Sequence, residues 1–251
     1  MGEENYSSKE LTGKLSFEKY FSASGNPYAD NIMGYIKRDA VVRDDSGKII
    51  EQVKDVVFPS FWSDLAVNTV TSKYFRKEGV SETGREIDIR QLTGRVAKTI
   101  SRWGEKQGYF DSVQSKTLEE ELAASTIFQY GAFNSPVWFS LGLDMYGIKE
   151  PGEGYYVENG EVKRADNLAE HPQISACFIS SPEDSIESMI EVAAIVSSRV
   201  FKRGSGIGGS WGKVRGTGEP VSGGGVASGA KRFMDVQDSV ARVIKSGGKT
   251  R

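Results

Sequence analysis

A chain of 251 residues, 38% hydrophobic and 26% charged, has globular composition and length for one large domain or two smaller ones. Its 32 Lys and Arg against 34 Asp and Glu give a net charge of −2, which excludes general affinity for polyanions and a long nucleic-acid groove. One cysteine excludes an internal disulfide framework, and one histidine without CxxC or HxxxH spacing excludes the common zinc sites, so a reducing, cytoplasmic setting is expected. The opening MGEENYSSKE is acidic and lacks an apolar stretch, and the longest apolar run, VAAIV, is far too short for a bilayer, so neither export nor membrane insertion is expected.

In chain order, residues 1–30 are polar with scattered aromatics and read as an arm ordered only where Phe17, Tyr20 and Phe21 find a surface. YIKRDAVVRDDSGKIIEQVKDVVF predicts a hairpin, two β-branched runs around the turn DDSGK, ending at Pro59. From Ser60 a helical period begins, with Phe61, Trp62, Leu65, Val70 and Tyr74 as core candidates. A second helix, about Ile89 to Gln107, places Leu92, Val96, Ile100 and Trp103 on one face. A third is expected to open at Thr117, with Glu120 closing a capping box, and to run to about Phe133. Pro136 in FNSPVWFSLG is then expected to stop the helix and hold Ser135 extended. Residues 142–172 read as a surface excursion carrying one small hairpin at YYVENGEVKR.

A short apolar strand, ISACFIS, comes next. Ser181-Pro182-Glu183-Asp184 predicts a capped helix start with proline at its first position, and the helix passes Ile186, Met189, Ile190, Ala193, Val196 and Val200 to Gly204 as its left-handed terminus. KRFMDVQDSVARVIK is another amphipathic helix, with Phe233, Val236, Val240, Val243 and Ile244 inward. Strand, helix, glycine loop, helix is an α/β signal.

The 29 glycines exceed the average share of about 7% and concentrate between Gly204 and Gly248. GSGIGGS matches G-x-G-x-x-G at Gly204, Gly206 and Gly209, but it follows a helix instead of a strand, which argues against a dinucleotide fingerprint. SGGKT imitates the end of a Walker A loop, but Val243 stands where that motif needs glycine. What remains is three glycine clusters interleaved with Lys213, Arg215, Lys231, Arg232, Lys245 and Lys249, a mixture suited to phosphate; tight turns alone are the other reading.

FNSPVWFSLG, QISACFISSPEDSIESM, VFKRGSGIGG, SGGGVASGAKRFM and VIKSGGKTR, in that order, resemble blocks of the ribonucleotide reductase large subunit, closest to the adenosylcobalamin-dependent class II branch. KRDAVVRDDSGKI, FWSDLAVNTVTSKYFRK and REIDIRQLTGRVAKTISRWGEKQGYF resemble that branch's N-terminal region, so the likeness runs from about residue 30 to the last residue. The resemblance implies an α/β fold: an N-terminal arm and hairpin (1–58), a helical N-terminal subdomain (59–145), then the first elements of a ten-stranded α/β barrel (146–251). It also implies that the family's longer chain is incomplete here, with the C-terminal remainder as a partner.

Residue by residue, Cys177 matches the family's first redox cysteine, on the first barrel strand; read alone, a cysteine in an apolar strand is an inert core residue. Its disulfide partner, the thiyl-radical cysteine and the catalytic Asn and Glu would follow Arg251. Ser135, Ser175, Ala176, Ser205 and Gly206 resemble contacts to the ribose and phosphates of the ribonucleotide substrate. Asp184 matches the acid that binds the ribose of a deoxynucleoside triphosphate or ATP effector, while also completing the cap from Ser181. The loop Gly204 to Gly216 resembles the specificity loop, with Arg215 and Lys213 as triphosphate contacts. KSGGKTR, with Lys245, resembles the start of the second specificity loop.

The resemblance therefore implies part of a radical enzyme that makes 2′-deoxyribonucleotides for DNA synthesis. In the family, adenosylcobalamin homolysis leads to a thiyl radical, the 2′ hydroxyl leaves as water, and a cysteine pair is oxidised and reset by a thioredoxin-like reductant. A homodimer is a further implied partner; the adenosylcobalamin site is expected mostly outside this chain, and no metal-binding residue is expected within it. The rival expectation is a catalytically inactive nucleotide-binding fragment acting in regulation or assembly.

Overall fold

The computed structural model describes residues 14–43, 46–246 and 249–250, with only the backbone described for Lys245, Ser246, Lys249 and Thr250. The turn residues Asp44 and Asp45, and Gly247, Gly248 and Arg251 of the last glycine run, lie outside the described residues. The chain divides into two compact units, Met1–Ala132 with Leu141–Glu150 and Phe133–Ser140 with Pro151–Arg251.

In the first unit, a one-turn helix α1 (Asp30–Met33) leads into the expected hairpin of β1 (Tyr35–Arg43) and β2 (Ile49–Pro59). Tyr35 pairs with Pro59 and Ala40 with Val53, and a register shift falls between Arg38 and Ala40. Ala40, Val53, Val56 and Phe58 form its buried side, as strand alternation requires. Helix α2 (Asp64–Lys73) is capped by Ser63, whose hydroxyl accepts from the Ala66 N–H. Of its expected core residues, Trp62 is buried, but Phe61 and Leu65 are 51% and 77% exposed; Val67 and Thr71 take the inner face.

Helix α3 (Ile89–Lys106) begins in a capping box of Asp88 and Gln91, and it packs along α4 (Ser112–Ile127). The start of α4 is a correction. Its cap is Asp111, which accepts from the Gln114 N–H at 2.9 Å, six residues before the box expected at Thr117. Glu120 is buried instead and paired with Lys19 of the N-terminal segment at 2.5 Å. The next residue, Glu121, holds the same segment by accepting from the N–H groups of Phe21 and Ser22 and the Ser22 hydroxyl. The arm is thus tied down as far as residue 14 is described, with Phe17 edge-on to Phe110. Met33, Ala97, Ala123 and Ile127 make one core cluster of this unit.

A buried ion pair joins the middle of α3 to the loop before it. The Arg95 Nε donates to Glu86 at 2.7 Å, and the two side chains are 2% and 0% exposed. Glu86 also accepts from the Tyr146 hydroxyl (2.9 Å) and the Arg76 N–H (2.7 Å), so both carboxylate oxygens are used. Burial, then the Glu86 charge, pushes the Tyr146 phenol well above its ordinary pKa.

In the second unit, α5 (Ser135–Ser140) contains the proline expected to end a helix. The preceding helix has already ended at Ile127, and Pro136 sits in the first turn of a new one, where its missing N–H costs nothing. Asn134 supports that start by accepting from the Val137 N–H at 3.2 Å. The small hairpin β3 (Tyr155–Glu158) and β4 (Glu161–Arg164) forms as expected, turning through Asn159 and Gly160 at positive φ.

The structural centre of this unit is a parallel crossover. Strand β5 (Cys177–Ser180) is followed by a helical run of α6 (Ile186–Ile190), a π-helical turn (Glu191–Val196) and α7 (Ser197–Lys202), and then by strand β6 (Gly206–Gly209). The pairs are Cys177 with Gly206, Phe178 with Ile207, Ile179 with Gly208 and Ser180 with Gly209. The Ser197 hydroxyl donates to Val192 O at 2.7 Å, a five-residue reach that fits the π turn. Met189, Val192 and Ala193 pack with Trp211, and Phe233 and Val236 of α8 (Ala230–Val243) lie against them. Only part of the inward face expected for α8 is covered, since Val243 is 76% exposed. The backbone of β7 (Lys245–Ser246) and β8 (Lys249–Thr250) pairs antiparallel.

Candidate functional site

Cys177 stands at the first rung of the parallel pair. It is a free thiol and exposed, so its strand does not bury it in a core. Its partner Gly206 carries no side chain, and the Gly206 N–H donates to Ala176 O at 2.7 Å, which fixes the two backbones beside the thiol. The glycine run read as a loop is therefore half strand. Gly204, at φ +82°, ends α7 in the expected left-handed conformation, and residues 206–209 then run extended. Gly209 admits no side chain, because a Cβ there would lie 2.5 Å from Trp211 Nε1.

The structure brings Ser175, Ala176, Ser205 and Gly206 together at this end of β5 and β6. Ser205 is fully buried, and its hydroxyl donates to Ser175 O at 2.7 Å while accepting from Gln173 Nε2 at 2.7 Å. Its single proton is therefore committed to the protein. The side chain braces the two strand entries, and Ser175 is exposed beside it. Gln173 was not legible beforehand, since one amide in a polar stretch has no pattern. Ser135 opens α5 in the same unit.

A second constellation lies past the other end of the strands. Ser181 was expected to cap the crossover helix; the cap is Ser185, whose hydroxyl accepts from the Ser188 N–H at 3.2 Å. Residues 181–184 are instead occupied by the loop that follows β6. The Ser181 hydroxyl donates to Ser210 O at 3.2 Å, Lys213 pairs with Glu183, and Arg215 Nε donates to Asp184 at 2.7 Å. Asp184 is thus free of the capping role that competed with its functional reading. The Arg215 side chain, and then its backbone N–H, hold the Asp184 carboxyl below the usual carboxylate range. Arg215 also donates to Pro220 O at 3.1 Å, anchoring the loop beyond. The Lys245 side chain lies outside the described set.

The family model for class II vitamin B12-dependent ribonucleotide reductase matches residues 36–129, and that for the ribonucleotide reductase barrel domain matches residues 175–251, the stretch holding both constellations. The chain belongs to the class II ribonucleotide reductase family. It is 39% identical over 241 residues to the vitamin B12-dependent ribonucleotide reductase of Rhodopirellula baltica, covering 94% of this chain and 23% of that protein. Against the enzyme of the same name from Agrobacterium fabrum it is 33% identical over 277 residues, covering 94% of this chain and 22% of that protein. The vitamin B12-dependent ribonucleoside-diphosphate reductase of Thermoplasma acidophilum is 26% identical over 237 residues, 88% of this chain and 28% of that protein. The chain thus spans less than a quarter of the length of the first two relatives. The parallel pair β5 and β6 lies within the segment that matches the barrel domain.

The family match implies a cobalamin, and among the described residues no site for one is formed. His171, the one histidine, is stacked on Tyr156 at 3.6 Å between ring centroids. The cleft along α7 and α8, about 550 Å³, is lined by Val236, Val240, Val243, Ile244, two serines and Asp235, without a nitrogen or thiolate ligand for cobalt. Among the described residues no cluster of three or more His, Cys, Asp or Glu can hold a metal, and no helix is long and apolar enough to cross a membrane.

Proposed function

We propose that the chain is the N-terminal part of a ribonucleotide reductase that makes 2′-deoxyribonucleotides, with Cys177 as one of the two thiols that supply the electrons. The observation that carries this reading is the exposed thiol of Cys177 at the first rung of β5, opposite the bare backbone of Gly206, inside the segment that matches the barrel domain. The overall step balances as a ribonucleotide and two thiols giving a deoxyribonucleotide, water and a disulfide. Cys177 contributes one thiol; the second, and the adenosylcobalamin that supplies the radical when bound, belong to the rest of the enzyme.

Ser175, Ala176, Gly206 and Ser135 offer hydroxyls and backbone amides to the substrate's ribose and phosphates, with Ser205 supporting them from beneath. Asp184 and Arg215 bind the effector nucleotide: the carboxylate accepts from a ribose hydroxyl, and the guanidinium, which has donors beyond those given to Asp184 and Pro220, faces phosphate. Lys213 adds positive charge nearby, and Lys245 is assigned to the effector through the resemblance alone. On this reading residues 59–145 serve as the helical N-terminal domain and 146–251 begin the catalytic barrel. The whole enzyme works in the cytoplasm, as a homodimer, with a thioredoxin-like reductant. The test is conversion of labelled ADP or CDP by the full-length enzyme that carries this segment, with adenosylcobalamin and a dithiol. Deoxyribonucleotide product is expected, and its absence from a folded, nucleotide-binding preparation contradicts the proposal.

A further inference from the structure

Gln173 lies four residues before Cys177 and outside the ladder of β5, yet its amide is built into the entry of both strands. Its Nε2 donates to Ser175 O at 3.0 Å and to Ser205 Oγ at 2.7 Å, and the Ser205 hydroxyl donates to the same Ser175 carbonyl at 2.7 Å. These three groups close a triangle immediately before the first rung, where the Gly206 N–H meets Ala176 O. The orientation of the amide is fixed by chemistry. A carbonyl oxygen only accepts, so the nitrogen must face Ser175 and Oε1 must face away.

Oε1 is buried and has no hydrogen-bond partner among the described residues. An unmatched buried acceptor is a standing cost. A glutamine placed for stability would satisfy both ends of its amide; this one satisfies only its donors. The donors are directed at the two backbone segments whose relative register decides where Cys177 stands against Gly206.

We propose that Gln173 is a positioning residue for the redox thiol and the phosphate-facing backbone. By holding Ser175 and Ser205 together it sets the register of β5 against β6, and through that register the place of the Cys177 thiol and of the Ala176 and Gly206 amides. The proposal rests on the substrate-site reading for its nucleotide arm, but its thiol arm stands without it.

The test uses the encoded polypeptide with Gln173→Met, close in shape but without donors, and Gln173→Glu, whose carboxylate cannot donate to Ser175 O. Alkylation of Cys177 by iodoacetamide is followed by peptide mass spectrometry, and ADP binding by equilibrium dialysis. Gln173→Met, relieved of the unmatched Oε1, is expected to keep the wild-type melting midpoint, whereas Gln173→Glu, whose carboxylate meets the Ser175 carbonyl, is expected to lower it. Both are expected to change the Cys177 alkylation rate and to weaken ADP by about fivefold to tenfold, the size of one neutral hydrogen bond expressed as an equilibrium constant. Ser205→Ala is expected to reproduce the effect, and the double variant Gln173→Met with Ser205→Ala to add little to it, since the two side chains act as one unit.

Alkylation rates and ADP affinities within twofold of wild type in folded variants overturn the proposal, as does full additivity of the double variant. If Gln173→Met fails to fold, its loss of stability already contradicts a purely positional role, and Gln173→Glu and Ser205→Ala decide the rest. If the wild-type protein binds no ADP, the substrate-site reading fails, and the alkylation rates alone judge the clasp.

Discussion

Replacing Glu86 by alanine removes the acceptor for three donors at once: the buried Arg95 Nε at 2.7 Å and the half-buried Tyr146 hydroxyl at 2.9 Å and Arg76 N–H at 2.7 Å. The dominant loss is the guanidinium. With its side chain 2% exposed, Arg95 retains its bond to Leu141 O but loses its counter-charge, and stranding one partner of a buried pair costs about 3–5 kcal/mol. The unmatched Tyr146 and Arg76 donors push toward the upper end, since each buried unsatisfied group costs about 1–3 kcal/mol and these losses overlap. Urea unfolding followed by far-UV circular dichroism measures the change. The double variant Glu86→Leu with Arg95→Met is expected to be more stable than Glu86→Ala, because it strands no charge. A Glu86→Ala variant within about 1 kcal/mol of wild type would show that the site is solvated and the reasoning wrong.

Three further outcomes follow from the geometry. For Glu121, burial raises the carboxyl pKa, but hydrogen bonds from the Ser22 side chain and the Phe21, Ser22 and Tyr20 backbone outweigh it, leaving a lowered value. Its contribution to stability is therefore complete above the unfolded value of about 4.3 and fades as pH falls through the folded one. Limited proteolysis should release the segment at residues 14–22 sooner in Glu121→Gln than in wild type at neutral pH, with the difference shrinking at low pH; equal cleavage at neutral pH counts against the anchor. Arg215→Ala should raise the Asp184 carboxyl pKa toward the ordinary value of about 3.9, read by carbon-detected NMR titration, and weaken dATP binding; an unmoved Asp184 contradicts the pair. Gly209→Ala places a Cβ against Trp211 Nε1 and should destabilise the second unit by about 1–3 kcal/mol in urea unfolding, a loss that Trp211→Leu in the same chain partly relieves; an unchanged midpoint removes the close contact as an explanation.

Where the pattern was periodic, the elements were legible. The Tyr35 to Pro59 hairpin, helix α3 and the turn at Asn159 and Gly160 all follow from alternation, a three-to-four-residue apolar spacing and positive-φ turn chemistry. Helix starts were less so, because several residues in a row can cap and tertiary partners choose among them. Asp111 won over Thr117 once Glu120 was drawn to Lys19, and Ser185 won over Ser181 once the loop after β6 claimed residues 181–184. Pro136 was read as a stop because sequence shows where proline breaks a helix but not whether one has already ended. Cys177, Asp184 and Arg215 were reached through resemblance, and spacing alone gave no reason to place the last two at 2.7 Å. Gln173 and the Glu86 and Arg95 pair left no trace, since a single polar residue announces its partners only after the chain has folded.

The most direct measurement of the central claim is the redox state of Cys177 after turnover. The reduced full-length enzyme that carries this chain is given adenosylcobalamin and one ribonucleotide without external reductant, quenched in acid, and its peptides mapped by mass spectrometry. Cys177 is expected in a disulfide in an amount matching the deoxyribonucleotide formed, with no product from Cys177→Ser. Deoxyribonucleotide formed with Cys177 still reduced, or sustained multiple turnover by Cys177→Ser, would contradict the claim.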